Sequence, residues 1–125
     1  MKTYKKFKIF LKIMNLKVEN KFMIFFVTIG KIEDAENLAY KLVEQKIAAC
    51  CNIIENITSI YFWNNKIEKE KEYLIIIKTM QEKKNELIEF IKKNHPYQVP
   101  ECIGFNIEQG NNNYLNWILE TLNRK

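Results

Sequence analysis

Apolar residues are arranged along this chain in two patterns, short continuous runs and helical repeats. Residues 24–29 (Ile-Phe-Phe-Val-Thr-Ile) form a β-branched and aromatic run, which is typical of a central strand. Gly30 ends the run, and from Asp34 onward apolar residues recur at the spacing of one helical face. The pattern therefore predicts a strand followed by a helix. The apolar positions of that helix are Ala35, Leu38, Ala39, Leu42 and Val43.

The middle of the chain is rich in residues that favour strands. Such segments lie at 48–54, 58–63 and 71–78, and a bend is predicted at 55–56 between the first two. The Asn-Asn pair at 64–65 predicts a tight two-residue turn, because asparagine tolerates positive φ. We therefore expect antiparallel strands in this region, with a hairpin around the turn.

The last third of the chain predicts a helix, a strand and a second helix. Thr79 and Glu82 have the spacing of a capping box, which predicts a helix that begins there and ends before Pro96. Residues 102–107 form the next apolar strand. The asparagines at 111–113 precede a last helix with one apolar face.

The predicted elements follow the order β-α-β-β-α-β, with an extra C-terminal helix. This order is typical of an α+β fold of the ferredoxin-like type, in which an antiparallel sheet carries its helices on one face. The other face of the sheet then needs a cover or a partner. One domain is expected, because 125 residues bury a substantial core without disulfide bonds.

The positive charge of the chain is concentrated at its N-terminus. The net charge is +5, but residues 1–22 contain seven lysines and one glutamate. The remaining residues carry 13 basic and 14 acidic side chains, so the domain itself is almost neutral. We therefore divide the chain into a lysine-rich extension, 1–22, and a folded domain, 23–125, and expect no nucleic-acid partner.

The extension has several possible roles. It is expected to be disordered or to act as a targeting segment, and Met23 could be the true start. A cytoplasmic location is predicted, with delivery to an organelle as the alternative. No transmembrane segment is expected, because the longest apolar run is far shorter than about 18 residues. The apolar residues with helical spacing are Phe7, Phe10, Leu11, Met14 and Val18.

The three cysteines, Cys50, Cys51 and Cys102, do not form a disulfide framework. Their number is odd, and adjacent cysteines rarely bridge because the geometry is strained. A reducing compartment fits best. These side chains are expected to be small buried residues or soft metal ligands.

The only histidine and both prolines fall within residues 94–101 (Asn-His-Pro-Tyr-Gln-Val-Pro-Glu). Each proline fixes its own φ and restricts the preceding residue, so the backbone around His95 is stiff. His95, Glu101 and a nearby cysteine form a credible ligand set for copper or another late transition metal. Two simpler interpretations stay open: a structural hydrogen bond from His95, and a helix end followed by a strand.

Other sequence features argue against enzymatic activity and leave one aromatic pair open. The sequence has no glycine-rich phosphate loop and no nucleophile pattern around its single histidine. The paired aromatic motifs of ferredoxin-like RNA binders are also missing. Tyr61 and Trp63 share one strand face, where they could pack in the core or form a subunit interface.

Ordered motifs spread over residues 23–122 make this chain similar to one known family. They are Ala48-Ala49-Cys50-x-Asn52, Thr58-Ser59-x-Tyr61-x-Trp63, Lys78-Thr79, His95-Pro96-Tyr97-x-Val99-Pro100-Glu101 and Asn113-Tyr114-Leu115-x-Trp117. In this order they resemble the CutA divalent-cation tolerance proteins. Some members carry a cysteine where this chain has Val27.

The resemblance implies a ferredoxin-like subunit in a tight homotrimer, similar in architecture to PII signalling proteins. It also implies a link to copper and other divalent cations, and no enzymatic activity. The metal ligands are expected among His95, Glu101, Cys50 and Cys102. The interface residues are expected among Tyr61, Trp63, Tyr97 and Trp117.

Two functions therefore compete. The first is a trimeric protein of the CutA type that binds copper or another divalent ion. The alternative is a PII-like signalling or assembly module, which would hold a small ligand or a partner protein in its trimer clefts. In that case metal binding would be incidental.

Overall fold

The computed structural model of this protein describes residues 21–124, in which four strands and three helices follow the predicted order. A 3-10 turn, Gln81–Lys83, joins the third strand to the second helix. The predicted extension lies almost wholly outside the described residues. The elements are β1 (Phe22–Ile29), α1 (Ile32–Glu44), β2 (Cys50–Trp63), β3 (Lys66–Met80), α2 (Lys84–Asn94), β4 (Ile103–Asn106) and α3 (Asn112–Asn123).

The strands form one antiparallel sheet in the order β2-β3-β1-β4, which leaves β2 and β4 at its edges. Alternate residues of β1 and β3 are buried on the same side as the apolar residues of α1 and α2. The ferredoxin-like prediction is therefore confirmed. The centre of this core consists of Phe25, Val27, Ile75, Ile77, Leu38, Leu42, Leu87 and Ile91.

The hairpin of β2 and β3 extends beyond the rest of the sheet. β1 pairs only with residues 73–80 of β3, so the outer part of β3 pairs with β2 alone. The predicted division into two strands at 55–56 is wrong, because β2 is continuous, but a bulge lies at the predicted bend, where Asn56 has a φ of 61°. The predicted start near residue 71 is also wrong, because β3 begins at Lys66. The turn is confirmed, with φ values of 50° and 62° at Asn64 and Asn65.

The two predicted helix starts had different outcomes. No side-chain cap hydrogen bond begins α2, since the Thr79 hydroxyl donates instead to the buried carbonyl of Ile47 at 2.6 Å. The capping-box prediction is therefore wrong. At α3 the prediction is confirmed, because the Asn111 side chain accepts a hydrogen bond from the Asn113 backbone N–H at 2.9 Å.

The sheet face opposite α1 and α2 is only partly covered. α3 packs over one end of it through a small apolar cluster that contains Phe22, Met80 and Ile118. Beyond α3, Phe26 and Phe105 pack edge to face, with ring centroids 5.4 Å apart, and Phe105 is 48% exposed. We call this surface the open face. Its remaining apolar residues are Ile24, Ile54, Leu74, Ile76 and Ile103.

No helix within residues 21–124 is both long enough and apolar enough to cross a membrane.

Candidate functional site

The loop that follows α2 holds His95 in a fixed orientation. His95 ends the helix in extended backbone, and its own backbone N–H donates to Ile91 at 2.9 Å. The ring is buried, and its Nδ1 accepts a hydrogen bond from the Tyr97 backbone N–H at 3.1 Å. Its Nε2 lies 2.7 Å from the Thr28 carbonyl oxygen. Because a carbonyl only accepts, Nε2 carries the proton and the ring is neutral.

Both ring nitrogens of His95 are therefore occupied. A metal ligand needs a free nitrogen lone pair, and in this arrangement the ring offers none. The structural interpretation of His95, as a hydrogen-bonding residue, describes what the ring does in the described subunit. The imidazole instead fixes Tyr97, whose ring centroid lies 4.6 Å from its own.

Tyr97 connects this loop to the hairpin. Its hydroxyl donates to Glu72 Oε2 at 2.8 Å. Burial, followed by this hydrogen bond to Glu72, raises the pKa of Tyr97 above its usual range. The close approach also explains Gly30, because a Cβ there would lie 2.9 Å from the Tyr97 hydroxyl.

An acidic groove with a volume of about 610 Å³ lies between residues 97–101 and the outer hairpin, which is the part of the β2–β3 hairpin at residues 57–72. Three glutamates contribute to it: Glu70 and Glu72 from β3, and Glu101 from the loop. Hydrogen bonding to Glu70 is the main cause that raises the pKa of Tyr61. Neither lysine nor arginine is among the described residues that line the groove. Its other lining residues are Thr28, Ser59, Ile60, Tyr61, Trp63, Tyr97, Gln98 and Val99.

The cysteines lie outside the groove lining. Cys102 is partly buried beside Glu101, and burial followed by the nearby carboxylate raises the pKa of its thiol to about 11. Burial raises the pKa of Cys51 to about 12. Cys50 begins β2, and its Sγ lies 3.7 Å from Asn52 Oδ1.

The four predicted metal ligands do not converge within one subunit. Cys50 is opposite Lys78, which pairs on its other side with Ile24. Ile24 is four residues from Thr28, the partner of His95, or about 13 Å along the strand. No group of three histidine, cysteine, aspartate or glutamate side chains within residues 21–124 is placed to hold a metal. Residues 21–124 of one subunit therefore do not bring a full ligand set together, and among the four candidates only Glu101 lines the groove.

The sequence analysis did not identify Glu70 or Glu72 as candidate site residues. Within β3, Glu70 and Glu72 follow the period of the strand and therefore share a face. Glu70 is opposite Ser59, and Glu72 is opposite Ile57. Recognising 66–72 as strand would have placed these carboxylates beside Tyr61.

The predicted interface aromatics are not buried in the core. Tyr61 and Trp63 line the groove and stay 38% and 43% exposed. Trp117 is on α3, where it stacks on Tyr114 with ring centroids 5.6 Å apart. Burial, followed by the neighbouring Cys50, raises the pKa of Tyr114.

Comparison with known proteins gives consistent matches. Residues 23–121 match the family model described as CutA1 divalent ion tolerance protein. A Protein CutA homolog of Xenopus laevis is 46% identical over 93 residues, covering 74% of this chain and 62% of that protein. The Divalent-cation tolerance protein CutA of Thermus thermophilus is 38% identical over 97 residues, covering 78% of this chain and 94% of that protein.

Solved structures agree with these matches. Crystal structures of CutA1 from Oryza sativa and from Ehrlichia chaffeensis superpose with TM-scores of 0.80 and 0.79, at 36% and 30% identity. They cover 83% and 84% of this chain, and 95% and 98% of theirs. The chain spans about half to three fifths of the length of the animal and plant relatives that it matches. From the family model and these relatives, the chain belongs to the CutA1 divalent ion tolerance protein family.

Proposed function

We propose that this chain functions as a homotrimer that binds a divalent cation, with copper as the predicted ion and Glu101 as one of its ligands. The observation that carries the proposal is the acidic groove, which is open to solvent and has no basic side chain among its described lining residues. Family membership gives the general link to divalent ions.

The open face supports assembly. Phe105, Ile103 and Ile54 are between 45% and 59% exposed there, next to the partly covered Phe26 and Ile76. A continuous apolar surface on a sheet is costly in water and is usually covered by a partner. The free edges of β2 and β4 offer further backbone pairing. A second copy of the same chain is the simplest cover. The proposed number of three subunits comes from the family resemblance.

The interface of this trimer is proposed to include the four aromatic residues singled out in the sequence. Tyr61, Trp63 and Trp117 keep exposed ring surface in the single subunit, whereas Tyr97 is held against Glu72. Large aromatics with a polar tip are enriched at such interfaces.

The negatively charged lining of the groove favours a cation over an anion. Glu70, Glu72 and Glu101 would repel a phosphate or carboxylate ligand, which argues against an anion-binding version of the PII-like alternative. Carboxylate oxygens suit divalent ions, and copper(II) also accepts oxygen and nitrogen ligands.

The remaining ligands are proposed to come from water or from a neighbouring subunit. A single subunit does not bring three suitable donors together within residues 21–124. Cys102 lies next to Glu101 in sequence, but its raised pKa means that a metal would have to displace a proton from the thiol. His95 supports the groove through Tyr97, and its ligation would require the loss of one of its hydrogen bonds.

We propose a cytoplasmic location, with direction to an organelle through residues 1–22 as the alternative. The relatives from rice and Arabidopsis are named as chloroplastic. The family name describes tolerance of ions and does not specify a catalysed reaction.

Calorimetric titration of the metal-stripped protein with copper(II) and zinc(II) tests the proposal. Glu101→Gln keeps the size of the side chain and removes its charge, so we expect the affinity for the bound ion to fall about tenfold or more. The matched control is Glu89→Gln, because Glu89 forms an exposed ion pair with Lys92 on α2. Equal affinities for the Glu101 and Glu89 variants would contradict the proposal.

A further inference from the structure

The outer hairpin carries opposite charges on its two faces. Lys69 and Lys71 alternate with Glu68 and Glu70 along β3. Successive side chains of a strand point to opposite faces, so these lysines lie on one side of the hairpin and these glutamates on the other. Lys66, beside the turn, is a lysine on the glutamate side. The hairpin therefore presents a mainly basic surface and a mainly acidic surface, back to back.

Cross-strand neighbours define the first surface, which we call the basic face. Lys71 Nζ donates a hydrogen bond to Thr58 Oγ1 at 3.0 Å, so both side chains lie on this face. Phe62 is directly opposite Ile67, and the two share the face with Lys69. Phe62 and Ile67 are 67% and 75% exposed. Neighbouring apolar side chains with this much exposure are costly in water and are typical of a contact surface.

The opposite surface, which we call the acidic face, is also the hairpin wall of the groove. Tyr61 is directly opposite Glu68 and is hydrogen-bonded to Glu70. Trp63 is two residues from Tyr61 on β2, so its ring lies on the same side. Both rings and Glu70 line the groove. The acidic face therefore combines carboxylates with partly exposed aromatic rings.

The two faces are complementary to each other. The basic face places ammonium groups beside Phe62 and Ile67, and the acidic face places carboxylates beside aromatic rings. Such a match of charge and apolar surface selects a partner and fixes its register. β1 pairs with β3 only as far as Tyr73, so within residues 21–124 no third strand adjoins the outer hairpin. Because both faces belong to the same chain, a second copy can cover each of them.

We propose that the basic face of each outer hairpin packs against the acidic face of the neighbouring subunit's outer hairpin. The ammonium groups of Lys69 and Lys71 then pair with the glutamates of that acidic face. A contact between two different faces is heterologous and can close into a ring of three, whereas a contact between identical faces gives a dimer. The inference rests on the proposed homotrimer and names the surfaces that its subunits use. Glu101 belongs to the loop wall of the groove, so this contact leaves it to the proposed ion.

Subunit exchange between isotopically labelled and unlabelled protein, followed by native mass spectrometry, tests the inference. Lys69→Glu/Lys71→Glu makes both faces acidic, and Glu68→Lys/Glu70→Lys makes both faces basic. Like charges then meet at every contact. We therefore expect each double variant to exchange subunits at least about tenfold faster than the natural protein, or not to assemble.

The four changes combined in one chain reverse the signs of both faces and restore opposite charges at every contact. This combined variant should exchange subunits at nearly the natural rate. It separates the contact between subunits from any effect of the substitutions on the hairpin itself. The matched control is Lys92→Glu/Lys93→Glu, which makes the same change of charge at exposed positions on α2 and should exchange as the natural protein does.

Two results would overturn the inference: double variants that exchange at the natural rate, or a combined variant that exchanges as fast as they do. Copper(II) titration of the same samples separates this inference from the proposed function. A trimer that takes up copper, but whose double variants exchange at the natural rate, overturns the hairpin contact alone. A trimer that shows the expected exchange but takes up no copper overturns the proposed metal binding alone. A monomeric natural protein overturns both.

Discussion

At the scale of single residues, His95 shows how the hydrogen bonds of one ring can position a neighbouring side chain. Its neutral ring donates to the Thr28 carbonyl and accepts from the Tyr97 backbone, which holds Tyr97 against Glu72. The sequence identified the segment, because it contains the only histidine and both prolines. It could not show where the ring nitrogens point, since their partners include a strand 67 residues away.

Replacing His95 should therefore reduce stability. His95→Ala removes both hydrogen bonds and leaves the part-buried Thr28 carbonyl without its imidazole partner, so we expect a loss of about 1–3 kcal/mol in the free energy of unfolding. His95→Gln, which can still reach Thr28 with an amide N–H, should lose less. Urea unfolding followed by circular dichroism measures both. A His95→Ala variant as stable as the natural protein would contradict this role.

The partly buried thiols of Cys51 and Cys102 should make stability depend on alkaline pH. The pKa values of Cys102 and Cys51 are raised from the ordinary 9.0 to about 11 and about 12, so the folded protein holds these protons more tightly than the unfolded chain. This contribution is complete below about pH 9 and is lost as the pH rises through the folded values. Between about pH 8 and about pH 10.5, the melting temperature should fall more for the natural protein than for a Cys51→Val/Cys102→Val variant. Equal decreases in the two proteins would exclude these thiols as the cause.

At the scale of elements, local sequence predicted the types of element better than their bounds. Residues 66–71 belong to no apolar core and are mostly charged, so they show no apolar alternation that would indicate a strand. The capping-box prediction at Thr79 was wrong for another reason. The Thr79 hydroxyl is used by Ile47, which is 32 residues away, and a local motif cannot reveal a partner at that distance.

Replacing Gly104 with alanine tests how closely β4 packs on β1. Although this residue is exposed, a Cβ there would lie 2.5 Å from Cε1 of the buried Phe25 ring. We expect Gly104→Ala to force that ring out of place and to cost about 1–3 kcal/mol in the free energy of unfolding.

The matched control for Gly104 is Gly110. A Cβ at Gly110 would meet only the flexible Leu115 side chain, at 3.3 Å, so Gly110→Ala should have a smaller effect. Chemical denaturation of both variants provides the comparison. Equal stabilities would show that the Phe25 ring adapts at no cost.

At the scale of the whole molecule, the sequence predicted that one sheet face would need a cover, and the subunit has such a face. The order of the elements was sufficient for this conclusion, because both crossover helices pack on the same side. The acidic groove could not be predicted in the same way. It depends on the register of β2 against β3 and on the position of the loop at 97–101, which are long-range features.

A charge on the open face should prevent assembly. Phe105 is 48% exposed in the subunit, so Phe105→Glu should preserve the fold but place a carboxylate in the proposed interface. We expect sedimentation to show monomers for this variant. Tyr40→Glu is the control, because Tyr40 is 70% exposed on α1, away from the open face, and its variant should assemble normally. Normal assembly of the Phe105 variant would locate the interface elsewhere.

We propose that a trimer of this chain binds divalent ions at its acidic grooves. Native mass spectrometry of the metal-stripped protein during titration with copper(II) is the decisive experiment, because one spectrum reports both the number of chains and the number of ions. We predict a mass of three chains that takes up ions in multiples of three, and a loss of this uptake in Glu101→Gln. A monomer, or a trimer that stays free of metal at micromolar copper, would contradict the account.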